Sequence, residues 1–207
     1  MIEPFDTRFL TPTKRFRRLS VLMAVHDDAK TSQHKIASKT KLSSSMVNNY
    51  IKEFRKTGFV QVSGETNRTQ RYHLTSKGEK ELLTLLLDYS AEIVRLYGNA
   101  KRVLAERLKG IHQEGIESVA LFGAAETAEI VYAALRESGL SVTGIVDSSP
   151  QKQGTRFNGF SVQPPETLKT MKAEAVVITS FAKQQEIQAR IREILGPKAT
   201  IKTLTEF

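Results

Sequence analysis

The sequence predicts an α+β domain of three short helices and a two-stranded hairpin, then a long helix, then an α/β domain built on a parallel sheet. Three observations carry that reading. Helical and then strand periods follow one another through the first 75 residues, one helical period persists from Ser76 to about Leu108, and from Ile116 buried strands alternate with amphipathic helices. The expected boundaries are 1–75, 76–115 and 116–207, and 207 residues suffice for two small domains with separate cores.

Charge is distributed unevenly over those segments. Residues 1–75 hold 14 Lys or Arg against 6 Asp or Glu, whereas the middle segment is neutral and residues 118–207 carry a net charge of +1. A basic segment followed by nearly neutral ones fits a binder of phosphate backbone joined to a domain with another task. There is no cysteine, which excludes disulfide scaffolds, zinc-thiolate sites and thiol nucleophiles. His26, His34, His73 and His112 lack metal-ligand spacing, so no metal is expected. No apolar run reaches membrane-spanning length, and Glu3 and Asp6 stand where a signal peptide would be basic and apolar; a cytoplasmic protein is expected.

Within the first segment, Leu19, Leu22, Met23 and Val25 give Arg15 to Val25 a helical face, which Asp27 and Asp28 end. Thr31 or Ser32 caps a second helix, Ser32 to Lys39, with Ile36 and Ala37 inward, and a turn through Leu42 follows with Leu42 buried. Ser43 caps a third helix to about Thr57, whose Val47, Ile51 and Phe54 recur at i, i+4 and i+7 beside Tyr50. Gly58 suits its C-terminal cap, and residues 59–62 and 71–75 read as hairpin strands around a polar tip carrying Arg68. Two short helices across a tight turn, the second starting with small polar side chains, form a helix-turn-helix with a wing, whose third helix enters a major groove. Ser44, Ser45, Asn48 and Asn49 can read base edges, Lys52, Arg55 and Lys56 lie toward phosphates, and Arg68 can follow the minor groove or a phosphate track. Ser32, Gln33, Lys35 and Arg71 complete the expected DNA-contacting set.

These residues carry a family resemblance. The segments Ser32 to Ala37 (SQHKIA), Leu42-Ser43, Val47-Asn48, Gly58 to Val60 and Tyr72 to Gly78 (YHLTSKG) resemble a winged helix of the MarR type, especially the small regulators associated with exopolysaccharide gene clusters. The similarity runs over roughly residues 15–108 and implies that Ser44, Ser45, Met46, Asn48 and Asn49 face the groove, with Arg68 on the wing. This chain lacks the second dimerisation segment of MarR proteins after its long helix, so a dimer forms differently.

Ser76 with Glu79 makes a capping box, and nothing after Gly78 breaks the helix until Gly98. Leu82, Leu86, Tyr89, Ile93, Leu96, Ala100 and Val103 alternate at steps of four and three, the period of a coiled-coil seam and a route to a homodimer. Leu83, Leu87, Val94, Tyr97 and Leu104 form a second stripe, so the same helix could instead pack on its own domains. A two-fold dimer would present two recognition helices to a palindromic site.

In the last segment, strands are expected at 118–122, 142–146, 175–179 and 200–204, with helices at 126–137, 164–171 and 183–195. Ligands of such Rossmann-like parallel sheets bind beyond the carboxyl ends of the strands, where Gly123, Asp147 and Ser180 fall. Gly123 to Ala128 (GAAETA) stands where a dinucleotide fingerprint would stand, but Ala125 replaces the glycine that approaches a pyrophosphate, and Glu126 brings an anion to the helix N-terminus. Asp147 is placed to accept from ribose hydroxyls; alternatively Gly123 only turns the chain and Asp147 only caps a loop. The candidate ligand-binding set is Gly123, Ala124, Ala125, Glu126, Thr127, Asp147, Ser148 and Ser180.

Val146 to Pro150 (VDSSP), Gly154 and Phe157 to Val162 (FNGFSV) resemble the Rossmann-like half of sugar-modifying proteins, including sugar acyltransferases and methyltransferases, and also CoA-binding domains. The resemblance implies a nucleotide-sugar or nicotinamide ligand. A winged helix before such a fold also resembles the redox-sensing repressor Rex, whose ligand is NADH. No Tyr-x-x-x-Lys pair, nucleophile elbow or metal cluster stands in this half, so no catalytic constellation is assigned. The expected function is a DNA-binding regulator with a metabolite-sensing sheet domain. The alternatives are a regulator whose sheet domain is only a docking or oligomerisation module, and a sugar-nucleotide enzyme with a vestigial DNA-binding domain.

Overall fold

The computed structural model describes residues 12–28, 31–64 and 70–204, which divide into two units at Val94/Arg95. In the first, helices α1 (Lys14–Asp27), α2 (Gln33–Thr40) and α3 (Ser44–Lys56) precede the antiparallel hairpin β1 (Val60–Ser63) and β2 (Arg71–Leu74). The local signals act as the sequence predicts at two helix starts. The Ser32 hydroxyl accepts from the Lys35 N–H and that of Ser43 from the Met46 N–H, both at 3.3 Å. Gly58 takes a positive φ of 74° after α3, with its N–H on the Arg55 carbonyl. Leu42 is half-buried rather than buried, because it ends the turn at the edge of the core.

Helix α4 runs without interruption from Ser76 to Gln113, five residues past the expected end, because Leu108 and Ile111 are buried in the second core. Its cap is not the expected box. Thr75 accepts from the Gly78 N–H at 3.0 Å and donates to the Gly58 carbonyl at 2.6 Å, so the hydroxyl that ends the hairpin also begins the helix. Gly78 is required there: a β-carbon would collide with the Phe59 carbonyl oxygen. Of the predicted heptad seam, Leu82, Leu86 and Tyr89 pack on the first core beside buried Leu85, whereas Leu83, Leu87 and Val94 of the second stripe are exposed.

Among the described residues the second unit contains six strands, β3 (Ser118–Phe122), β4 (Ser141–Val146), β5 (Arg156–Phe157), β6 (Phe160–Gln163), β7 (Ala175–Ile178) and β8 (Ile201–Lys202), in the order β5-β6-β4-β3-β7-β8. The sheet is mixed, not parallel throughout: β5 runs antiparallel to β6 at one edge. Asn158 and Gly159, with φ of 47° and 89°, form the two-residue turn of that hairpin, the positive-φ pair that an Asn-Gly turn supplies. Helices α5 (Glu126–Leu135) and α6 (Gln184–Leu195) are both shorter at one end than expected, and Pro165–Lys169 forms a 3₁₀ turn. Alternate residues of β3 separate two cores. Val119 and Leu121 join the end of α4 and the inner face of α5, whereas Ala120 and Phe122 join Leu168, Ile191 and Ile194.

Candidate nucleic-acid interface and ligand crevice

Helix α3 turns about 100° per residue. Val47, Tyr50, Ile51 and Phe54 are buried along one face, so Ser45, Asn49, Lys52 and Lys56 point away from the core, with Asn48 and Arg55 beside them. Ser44, Ser45, Asn49, Lys52, Arg55 and Lys56 are exposed and Asn48 is half-buried. Ser45 shares a 3.0 Å hydrogen bond with the capping Ser43. The row of amide and cationic groups from Asn48 to Lys56 is left with its donors open to solvent. Arg55 and Lys56 also sit in the last turn, where the helix dipole favours cations.

The remaining expected contacts divide. Lys35 is exposed on α2, Gln33 is half-buried there, and the hydroxyl of Ser32 is occupied as a cap. Met46 is half-buried against the first core, which limits what it can offer a groove. Arg71 begins β2 with its guanidinium on the Gln70 carbonyl at 3.0 Å. Arg68 lies outside the described residues.

Sequence reasoning missed the group that holds α3 in this orientation. The Arg18 guanidinium of α1 pairs with Glu53 on α3 and, at 3.2 Å, with Glu81 on α4, and it lies 5.3 Å from the centre of the Phe54 ring. Arg17 and Arg18, about 100° apart on α1 and next to the apolar position Leu19, were the available signal: both are half-buried, and an arginine so placed needs carboxylates.

In the second unit the chain leaves β3 to one side for β4 and returns to the other side for β7, which makes a switch point beyond β3. Gly123, Ala124, Asp147 and Thr179 meet there. The Asp147 carboxylate accepts from the Ala124 N–H and the Ser149 N–H, both at 2.8 Å, and from the Lys152 ammonium at 3.2 Å. Asp147 is buried; burial alone would raise its carboxyl, but the two backbone donors and then the Lys152 charge outweigh that and hold it below the ordinary carboxylate value. The Thr179 hydroxyl reaches the Phe122 and Gly123 carbonyls at 3.0 and 2.9 Å. A β-carbon on Gly123, whose φ is 114°, would stand 2.5 Å from that hydroxyl, so the packing of β3 on β7 already explains the glycine. Ala125 precedes α5 without a side-chain cap, and Ala125, Glu126 and Ser148 are exposed, with Ala124, Thr127 and Ser180 half-buried. Thr179 and Lys152 were not singled out from the sequence; a hydroxyl ending a strand next to the first βα turn was the readable sign of Thr179.

Residues 18–92 match the family described as winged helix-turn-helix, and residues 115–201 match the family described as C2185-like, N-terminal. Among solved structures, a mutant of MepR from S. aureus aligns at 14% identity over 40% of this chain and 64% of its own, with a TM-score of 0.36. MosR, a transcriptional regulator of M. tuberculosis, aligns at 14% identity over 42% of this chain and 62% of its own, with a TM-score of 0.35. A protein of unknown function from Listeria innocua aligns at 24% identity over 52% of this chain and 73% of its own, with a TM-score of 0.36. The chain thus spans less than two thirds of the length of MepR and MosR. Among curated proteins nothing matches. The first unit is a winged helix-turn-helix.

The lowered Asp147 carboxyl links this loop to pH. Its contribution to stability is present above the ordinary carboxylate value, about pH 4, and is lost as pH falls through the lower value of the folded state. Urea unfolding should therefore show Asp147→Asn less stable than the parent at pH 7, with the gap narrowing as pH falls below the ordinary carboxylate value. A gap unchanged as pH falls would contradict the assignment.

Proposed function

We propose that the protein is a sequence-specific DNA-binding transcriptional regulator acting as a homodimer, with α3 as its recognition helix. The observation that carries this reading is the outward row Ser45, Asn49, Lys52 and Lys56 on a helix whose opposite face is buried, within the segment that holds nearly all the excess positive charge. Asparagine matches the donor and acceptor of adenine in a major groove, and the lysines match phosphates. The resemblance of residues 15–108 to exopolysaccharide-associated regulators supports polysaccharide genes as the target class.

Fluorescence anisotropy with short duplexes tests it. Affinity should fall steeply with salt, with a slope that becomes shallower by about one on Lys52→Ala or Lys56→Ala. Asn49→Ala should lower discrimination between the preferred duplex and a scrambled one by about 1–3 kcal/mol. A flat salt response removes the DNA-binding reading, and promoter fragments of polysaccharide genes bound no better than scrambled DNA remove that target class.

A second reading concerns the crevice beyond β3. We infer that it senses a nucleotide, a nucleotide-sugar or a nicotinamide cofactor. The switch point and the uncapped start of α5 support it. Asp147 has already committed its carboxylate to the loop, so a ribose would have to take the place of Lys152 there. A ligand at about 100 times its dissociation constant should stabilise the protein by roughly 2.7 kcal/mol. Thermal unfolding with NAD, NADH, CoA and UDP- or CMP-sugars therefore gives a clear shift for one of them; no shift with any leaves the sheet domain as a docking or oligomerisation module.

A further inference from the structure

The crevice of the second unit has two unlike walls. Helix α5 packs with Val119, Leu121 and Val177 on one face of the sheet, and α6 packs with Ala120, Phe122 and Ile178 on the other. The chain therefore leaves the neighbouring strands β3 and β7 toward opposite faces, and the loops at their carboxyl ends open a cleft between them. On the other side of β3, the end of β4 brings the paired charges of Asp147 and Lys152. The end of β7 brings Ser180, Phe181, Ala182 and Lys183.

Phe181 sets the β7 wall apart. Outside α4, Phe181 and Leu195 are the exposed large apolar side chains of this unit among the described residues, and Phe181 is the more open, at 45%. It belongs to neither core of the unit and meets no other ring among the described residues, whereas Tyr132 meets Phe157 and Phe160 edge to face. Its place is fixed close to the switch point. The Thr179 hydroxyl, two residues earlier, is bonded to the Gly123 carbonyl at 2.9 Å, and a β-carbon on Gly123 would lie 3.8 Å from the Ser180 nitrogen. A phenyl ring left in water adds little to the fold; against another flat ring it buries apolar area and gains offset stacking. Neighbouring strands lie about 4.8 Å apart, so the ends of β4 and β7, with β3 between them, stand about 10 Å apart, a distance that one ribose and its base can span.

We propose that Phe181 is the stacking surface for a nucleobase, and that the crevice takes a ligand whose flat base lies on Phe181 and whose ribose or phosphate lies toward Asp147 and Lys152. This rests on the reading of the crevice as a ligand site. NAD, CoA and the UDP- and CMP-sugars all carry such a base, whereas a plain sugar phosphate has none. Stacking is tolerant of base identity, because every base has a π-face, so Phe181 selects for the presence of a base rather than for one hydrogen-bonding edge.

Isothermal titration calorimetry of the full chain with AMP, UMP and ribose 5-phosphate is the test. At least one of the two nucleotides should bind the parent more tightly than ribose 5-phosphate does. Phe181→Ala should weaken that nucleotide about tenfold and leave ribose 5-phosphate as it was, and Phe181→Trp should retain the nucleotide. Thermal unfolding without ligand should be the same for the parent and Phe181→Ala, since the ring belongs to neither core; lost affinity is then not lost folding. Nucleotide affinity unchanged in Phe181→Ala, or an equal loss for the nucleotide and ribose 5-phosphate, overturns the stacking role and leaves the crevice a ligand site. A parent that binds none of the three overturns the stacking role together with the ligand-site reading.

Discussion

The half-buried Arg18 guanidinium is the interaction on which the presentation of α3 depends. It lies between the carboxylates of Glu53 and Glu81 and against the Phe54 ring, so it ties α1, α3 and α4 together through one cation. A charge taken partly out of water stabilises only when its partners are in place, and here two anions and an aromatic face supply them. Because Phe54 and Glu53 are neighbours on α3, that contact sets the roll of the helix. Val47, Tyr50 and Ile51 then complete the buried face, and the amide and lysine row is turned to solvent. The groups proposed to read DNA are carried on the outer face of a helix whose roll these contacts set.

The hairpin and α4 extend the same logic. Thr75 closes the wing strand onto Gly58 and starts α4 with the same hydroxyl, and Gly78 lets the first turn of α4 lie against the Phe59 carbonyl. In the second unit a comparable economy operates around β3. Asp147 braces the turn after β3 through the Ala124 N–H, and Thr179 braces it from the other side through the Gly123 carbonyl. The turn after β3 is thus held from both sides, with the Asp147 carboxylate paired to Lys152.

How much of this was legible in the sequence follows from how local each signal is. Ser43 and Gly58 mark the ends of α3 because a cap needs only its neighbours, and the buried face of α3 follows from one period. The two stripes of α4 have the same period, so which one packs inward is decided by the partner surface and could not be read from α4 alone. The capping box at Ser76 failed for a similar reason: Thr75 has a tertiary partner, the Gly58 carbonyl, that no window around the helix contains. The edge hairpin was readable and was missed, since Asn158-Gly159 is a strong turn signal, but strands of two and four residues are too short to show alternation. At the candidate crevice, Gly123 and Asp147 were found by position, whereas Lys152 and Thr179 enter through contacts across the sheet and a loop.

The measurement that tests the central claim most directly is an NMR titration of the full chain with a duplex it binds, read at the backbone amides. The account predicts large shifts along Ser44–Lys56 and at the ends of β1 and β2, with residues 118–204 unmoved. Shifts confined to the second unit, with α3 unchanged at saturation, would contradict it.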